Sequence, residues 1–276
     1  MERKINTTLP IGVFDSGIGG LTILHELVNH LPNESFLYLG DIARLPYGTK
    51  SQETVVRYAS QMTSLLVTQG IKLLVLACNT VSTAALPYLQ KRFPDIPIIG
   101  VVESGAQAAV NTTKNNKVAL LATETTIQSG IYQSTLRSLN PAIVIVTQAC
   151  GLFVALAEEG CIDDNIALLV TQKYLEPVIS HHHYCDSVIL GCTHFPVFIQ
   201  SFSAIFGSKV KIINSATATA KAVQLIVKKM NLENTTLQPT ISFFVTDSPQ
   251  RFIRVGKIFF GRCIDPETVQ LIDGAR

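Results

Sequence analysis

Two cysteines stand in similar surroundings, each directly after an apolar run with the length of a β-strand. Leu73 to Thr80 reads LLVLACNT, and Ser187 to His194 reads SVILGCTH. In open α/β sheets, ligands bind outside the carboxyl ends of the strands, so Cys78 and Cys192 stand where a ligand can reach them. A lone cysteine is more often a small buried apolar residue, but the repeated pattern favours a functional pair. The repeat also indicates two similar α/β halves whose cysteines face each other across one cleft.

Two thiols on opposite sides of a small ligand suit the removal of a proton from one face of a carbon and its return to the other. A thiol with a pKa of about 8.5 acts as a base when ionised and as an acid when protonated. A single-cysteine hydrolase is a weaker alternative, because His194 lies only two residues from Cys192, an awkward spacing for a nucleophile and its base. A non-catalytic amino-acid-binding protein has no need of paired thiols.

Polar residues also follow the other predicted strands, at Asp15-Ser16, Asp41 and Glu103-Ser104. Helix capping is a sufficient explanation for Asp41 and Ser104. Asp15 opens the glycine-rich turn DSGIGG, which could belong to a nucleotide-binding site. The turn lacks the third glycine of the dinucleotide fingerprint, since Thr22 stands there, and it has no P-loop lysine. Its N–H groups and the following helix N-terminus can still hold a carboxylate.

Apolar runs of strand length alternate with segments whose apolar residues recur at helical spacing. Strands are predicted at Leu9–Phe14, Ser35–Gly40, Lys72–Ala77, Ile98–Val102, Lys117–Leu121, Ala142–Thr147, Ser187–Leu190, Val210–Ile213 and Ile241–Thr246. The clearest helices are predicted at Leu21–Leu31, Ser51–Gln69, Ser82–Phe93 and Ser248–Phe260. This alternation predicts an α/β fold with mainly parallel sheets flanked by helices.

The composition fits this fold. Only 15% of the residues are charged and 47% are hydrophobic, as expected where parallel strands are buried on both faces. The longest uncharged run, Ser138 to Ala157, contains Pro141 and Gly151, so we expect no transmembrane segment. Met1 to Pro10 lacks the apolar core of a signal peptide, which favours a cytoplasmic protein. A net charge of +2 gives no electrostatic case for nucleic acid or a membrane surface.

The six cysteines and the histidine run give no sign of a metal site. No two cysteines have CxxC spacing, so reduced thiols are expected rather than a zinc knuckle or a redox dithiol. The run His181-His182-His183 lies at a predicted helix end, and a solvated helix end is the simpler explanation of it.

Several segments of the chain resemble the glutamate racemases, enzymes that interconvert L- and D-glutamate without a cofactor and supply D-glutamate for peptidoglycan. The matching segments are IGVFDSGIGGLT (11–22), GDIARLPYGTKS (40–51), LACNTVS (76–82), CGLFVALAEEG (150–160) and GCTHFP (191–196). They extend over most of the chain in the expected order. The resemblance implies two α/β domains with the active site between them, the first formed by residues 1–98 plus 214–276 and the second by 99–213. A homodimer is usual for the family.

The resemblance also implies roles for individual residues. Cys78 would serve the D-glutamate face with help from Asp15, and Cys192 the L-glutamate face with help from His194 and Glu158. The implied substrate contacts are Asp15, Ser16, Tyr47, Gly48, Asn79, Thr80, Thr126, Thr193 and His194. Loop packing is the simpler explanation for Tyr47 and Thr126.

The chain departs from the family pattern around Glu158. Where the family commonly has Cys-Pro and Val-Pro, this chain has Cys150-Gly151 and Val154-Ala155. Loss of two prolines loosens a loop, which leaves Glu159 as a rival for the role of Glu158. A racemase for aspartate or a hydantoin is the nearest alternative function. Aspartate racemases tend to carry Glu two residues after the second cysteine, where this chain has His194.

Overall fold

The computed structural model describes residues 6–181, 185–234 and 238–273. His182 and His183 lie outside these residues, and the side chain of His181 is not described either. The expectation of a solvated helix end at this run therefore stays a prediction.

The strands of the described residues form two sheets in which every neighbouring pair is parallel. In chain order the strands are β1 (Ile11–Asp15), β2 (Phe36–Gly40), β3 (Leu73–Leu76), β4 (Ile98–Gly100), β5 (Lys117–Ala122), β6 (Val144–Ala149), β7 (Ser187–Gly191), β8 (Lys211–Asn214), β9 (Ile241–Val245) and β10 (Val269–Leu271). The first sheet has the order β10-β9-β2-β1-β3-β4, and the second has the order β6-β5-β7-β8.

The helices flank these sheets and connect successive strands. They are α1 (Leu21–His30), α2 (Gln52–Gln69), α3 (Asn79–Arg92), α4 (Val101–Thr112), α5 (Glu124–Gln128), α6 (Ile131–Leu139), α7 (Leu152–Glu159), α8 (Asn165–His181), α9 (Ile199–Phe206), α10 (Ser215–Lys229) and α11 (Pro249–Phe260). Short 3-10 turns occur at Ile42–Arg44, Tyr47–Thr49, Phe195–Phe198 and Pro266–Thr268.

The central strands are apolar because both of their faces are covered. Every residue of β1, β2, β3 and β7 is buried, whereas the edge strand β6 is partly exposed. The predicted fold class is confirmed: two α/β domains carry parallel sheets between layers of helices. Within the described residues, no helix combines the length and apolarity needed to cross a membrane.

The strand membership bears on where one domain ends and the other begins. Strand β4 still pairs in the first sheet, and β8, which ends at Asn214, pairs in the second. We propose the boundaries predicted above, residues 1–98 plus 214–276 and residues 99–213, because the last strand before each change of sheet ends within two residues of the boundary.

Several predicted ends differ from the structure, and the differences matter for the site. Helix α3 begins at Asn79 rather than Ser82, so Asn79 and Thr80 form its first turn with Cys78 as the N-cap residue. Strand β4 ends at Gly100, which places Glu103 on the exposed face of α4 instead of at a strand end. The edge strand β10 was not predicted, because its three residues are partly exposed and form no buried apolar run.

Candidate active site

The two cysteines line one cavity of about 480 Å³ between the domains. Cys78 follows β3 of the first sheet, and Cys192 follows β7 of the second. The carboxyl ends of parallel strands lie at one edge of their sheet. In each domain this edge faces the cleft, so the cysteine that follows the strand lies in the cleft. The cavity is also lined by Ser16, Leu45, Pro46, Tyr47, Gly48, Thr49, Asn79, Thr80, Thr123, Glu124, Ala149, Gly151, Val154, Ala155, Glu158, Tyr174, Thr193 and His194.

Cys78 lies in surroundings that keep its thiol protonated. Burial raises the pKa of Cys78 to about 12, and the nearby Asp15 carboxylate adds to this rise, while a hydrogen bond from Ser16 opposes it. Asp15 is itself fully buried behind the cavity, and burial raises its pKa above 3.8 although the Gly17 N–H donates to its Oδ2 at 2.9 Å. The resting form of Cys78 at neutral pH is therefore mainly the protonated thiol.

Cys192 has a different partner, the imidazole of His194. Its Sγ lies 3.9 Å from His194 Nδ1, so the awkward spacing in the sequence does not prevent contact. On the other side of the ring, His194 Nε2 lies 3.1 Å from Glu158 Oε1. Arg251 of α11 approaches both Glu158 and Glu159, at 3.6 Å and 3.1 Å. Glu158 is mostly buried, whereas Glu159 is largely exposed.

His194 is held in its cationic form. Burial alone would lower its pKa, but hydrogen bonds and charge interactions with Cys192 and Glu158 outweigh burial and raise the pKa to about 10. A cationic imidazolium donates from both ring nitrogens, and it stabilises negative charge on the sulfur beside it.

This shift predicts a pH dependence of stability. Because the pKa of His194 is about 10 in the folded protein and 6.5 ordinarily, its protonation stabilises the fold fully below pH 6.5. That contribution is lost as the pH rises through 10. Urea unfolding of the unmodified protein and of His194→Gln should therefore show a stability difference that shrinks between pH 6.5 and pH 10. A difference that grows over this range would contradict the assignment of the cation.

In the 15–20 turn, Gly19 allows the two domains to approach closely, and Gly20 allows the turn to pack against Asp15. A Cβ atom on Gly19 would lie 2.4 Å from His194 Nδ1, and one on Gly20 would lie 2.4 Å from the Asp15 Cβ. Thr22 also donates a hydrogen bond to the Thr193 carbonyl at 3.0 Å, across the domains. Packing against His194 thus accounts for the glycine at position 19 without any bound anion.

Three threonine hydroxyls form a triangle at one side of the cavity. The Oγ1 atoms of Thr80, Thr123 and Thr126 lie 2.9 to 3.2 Å from each other. Thr80 and Thr123 line the cavity, whereas the fully buried Thr126 stands behind them. Each hydroxyl can donate only one hydrogen bond, so a carboxylate that enters the cavity competes with the triangle for these protons.

The loop that carries Tyr47 and Gly48 lines the cavity and is held in place by hydrogen bonds. The Tyr47 hydroxyl donates to Asp41, which also accepts from Thr246 at 2.9 Å. Asp41 therefore anchors this loop instead of capping a helix. Thr125 donates to the Gly48 carbonyl at 2.7 Å, and a Cβ on Gly48 would lie 2.8 Å from Thr123.

The structure adds lining residues that the sequence analysis missed. Thr123 stands beside the predicted Thr126 in the segment TETT, and the repetition of threonine was the available signal. Glu124, Val154 and Tyr174 also line the cavity, and no local pattern distinguishes them from ordinary helix residues. Among the described residues, no cluster of three or more His, Cys, Asp or Glu could hold a metal ion.

The site combines two thiols, one imidazolium and a ring of neutral donors in an α/β cleft, which is an arrangement for moving a proton at a small polar molecule. The sequence model of the Asp/Glu/Hydantoin racemase family matches residues 11–223. The chain therefore belongs to the Asp/Glu/Hydantoin racemase family, and it is an enzyme of the isomerase class.

Relatives that are 34 to 45% identical to this chain are named glutamate racemases, which confirms the resemblance found in the sequence. The protein from Geobacter metallireducens is 45% identical over 91% of this chain and 92% of its own length. The crystal structure of the glutamate racemase from Francisella tularensis in complex with D-glutamate superposes with a TM-score of 0.91 at 38% identity, over 98% of this chain and 99% of that one. The crystal structure of the glutamate racemase isoform RacE1 from Bacillus anthracis superposes with a TM-score of 0.92 at 34% identity, over 97% of this chain and 98% of that one.

Proposed function

We propose that this enzyme interconverts L- and D-glutamate without a cofactor, by proton transfer between Cys78, Cys192 and the α-carbon. The observation that carries the proposal is the shared cavity, to which each domain contributes one cysteine. The relatives are named glutamate racemases, and a related structure holds D-glutamate. The volume of about 480 Å³ is ample for a molecule of this size.

In the proposed step one thiolate takes the α-proton, so an S–H bond forms and the C–H bond breaks. The electron pair stays on the substrate as a carbanion conjugated with its carboxylate. The opposite thiol then gives its proton to the other face, which breaks its S–H bond and forms the new C–H bond. By the family resemblance, Cys192 serves the L face and Cys78 the D face, and the thiol form of Cys78 suits it to finish the reaction that begins with L-glutamate.

Contacts around the two thiols support roles for three neighbouring side chains. His194 would neutralise charge on Cys192, and Glu158 would orient the imidazole through Nε2. Asp15 would assist Cys78 through its buried carboxylate, whose charge helps to keep the thiol protonated. Among the described residues that line the cavity none is a lysine or arginine, so neutral donors and the His194 imidazolium would hold the substrate carboxylates. We assign these contacts to Ser16, Asn79, Thr80, Thr193, His194 and the backbone of Tyr47 and Gly48. Thr126 and Asp15, which were also predicted as contacts, do not line the cavity, and Thr126 would act through its hydrogen bonds with Thr80 and Thr123.

The proposed function implies a cytoplasmic protein. Both thiols must stay reduced, and within the described ranges all six cysteines are free, which favours the reducing cytoplasm. As in the glutamate racemases that the chain resembles, the D-glutamate product would supply peptidoglycan. We also propose a homodimer on the same resemblance.

Isotope exchange tests the function. Incubation of the purified protein with L-glutamate in deuterium oxide, with no cofactor added, should give D-glutamate that carries α-deuterium. In early turnover the deuterium should enter mainly the product enantiomer, because the two faces of the carbon are served by different thiols. Circular dichroism follows the racemisation, and proton NMR follows the loss of the α-proton.

L-Aspartate under the same conditions is the control substrate. Exchange with aspartate but not with glutamate would contradict the substrate assignment. Deuterium that enters substrate and product equally from the first turnover would contradict the two-base step, because it indicates one base that serves both faces.

A further inference from the structure

The amide of Asn79 faces two environments. Asn79 is buried in the first turn of α3 and lines the cavity. Its Oδ1 accepts a hydrogen bond from the Tyr132 hydroxyl at 2.6 Å. Its Nδ2 has no hydrogen-bond partner within the described residues, although the atom is buried. A buried amide nitrogen without a partner costs free energy unless a ligand accepts its protons.

Tyr132 is well placed to fix this amide. Its ring is fully buried in the apolar core of the second domain, where Val102, Ala106 and Leu136 belong to the same cluster. Its hydroxyl crosses to Asn79, which belongs to the first domain. Burial raises the pKa of Tyr132, so the hydroxyl stays protonated over the working range of the enzyme and remains a donor.

The direction of this hydrogen bond determines whether Asn79 presents its NH₂ group or its oxygen to the substrate. With the Tyr132 proton on Oδ1, the amide turns its NH₂ group away from Tyr132. An ionised carboxylate is purely an acceptor, so it pairs with NH₂ and is repelled by an amide oxygen. The opposite orientation would present oxygen, which suits the substrate ammonium instead.

We propose that Tyr132 is a positioning residue, which locks the Asn79 amide so that its Nδ2 donates to a carboxylate of the bound substrate. The inference rests on the proposed function and extends it, since it assigns a role to a tyrosine outside the cavity lining. The hydrogen bond joins the two domains, so the donor is aligned only when the cleft is assembled.

The test begins with Tyr132→Phe, which removes the hydroxyl and keeps the ring. We expect KM for glutamate to rise about fivefold with kcat little changed, because the lost alignment weakens a contact made in both ground and transition states. Thr219→Val is the matched control, since it deletes another buried hydroxyl whose bond to the Ser215 carbonyl at 2.7 Å lies within α10. Both variants should lose some thermal stability, but only Tyr132→Phe should change KM.

Two Asn79 variants make the inference specific. The double variant Tyr132→Phe/Asn79→Ala should match Asn79→Ala in KM within about twofold, because Tyr132 acts through Asn79. Asn79→Asp should be worse than Asn79→Ala, because a carboxylate presents only acceptors to the substrate carboxylate.

The possible results distinguish failure of the Tyr132 proposal from failure of the proposed racemase function. An active unmodified enzyme with an unchanged KM in Tyr132→Phe would overturn the inference alone. Additive losses in the double variant, or an Asn79→Asp enzyme that binds glutamate better than Asn79→Ala does, would also overturn it alone. Absence of racemisation in the unmodified protein would overturn both.

Discussion

Replacement of either Cys78 or Cys192 with serine should lower the racemisation rate by about a thousandfold, the range expected for a missing acid or base. A hydroxyl is a much weaker acid than a thiol, so serine can neither ionise to take the α-proton nor return one readily. In the proposed mechanism each thiol serves one face of the carbon, and the remaining thiol cannot reach the other face. Circular dichroism with each enantiomer as the starting substrate measures the loss.

Cys263→Ser is the matched control, because this cysteine is exposed and lies far along the chain from both strand ends. It should keep full activity. Deuterium oxide adds a second readout for the two active-site variants. Cys78→Ser should still exchange the α-proton of L-glutamate slowly without inversion, and Cys192→Ser should do so with D-glutamate. Full racemisation by either variant would refute the two-base mechanism, and exchange with the opposite enantiomers would reverse the assignment of the faces.

His194→Gln should lower kcat/KM by about a hundredfold, within the range measured for single acid–base or electrostatic groups. The reason is the loss of the cation 3.9 Å from the Cys192 sulfur. Glu158→Gln should cost about tenfold, because an amide can still contact His194 Nε2 but brings no negative charge to hold the imidazolium. Steady-state kinetics in both directions measures these losses.

Thermodynamics supplies an internal check on these numbers. The two enantiomers have equal free energy in water, so kcat/KM must fall by the same factor in both directions, whereas kcat and KM can change separately. Glu159→Gln is the control for Glu158→Gln, since Glu159 contacts Arg251 and its side chain is largely exposed. If Glu159→Gln is as damaging as Glu158→Gln, the assignment of Glu158 is wrong.

The predictable part of this protein is the part that depends on short stretches of chain. A fully buried strand such as β3 or β7 is a continuous apolar run, and the residues after it in the chain must stand at its carboxyl end. The alternation of strands and helices then leads to parallel sheets, and the placement of Cys78 and Cys192 follows. Strands are harder to predict at the sheet edges, because the partly exposed residues of β6 and β10 do not form a continuous apolar run.

The choice between Glu158 and Glu159 shows why the remainder could not be predicted. Adjacent residues on a helix point about 100° apart, so only the rotation of α7 against its neighbours turns one toward His194 and the other toward solvent. That rotation could not be predicted from the local sequence, because it depends on how α7 packs against other elements. The structure brings Glu158 within 3.1 Å of His194, while the missing prolines in the sequence gave reason to doubt its position.

The amino-acid sequence alone therefore determined the fold class, the two strand-end thiols and the family, because each can be identified from local apolar runs and short motifs. The tertiary structure decided which groups lie beside those thiols and in the cavity around them. The contact of Glu158 with His194, the hydrogen bond from Tyr132 to Asn79 and the packing of Gly19 beneath the imidazole join residues that are far apart in the chain. The contact of Glu158 with His194 depends on how α7 packs within the second domain. The other two contacts exist only after the two domains have packed against each other.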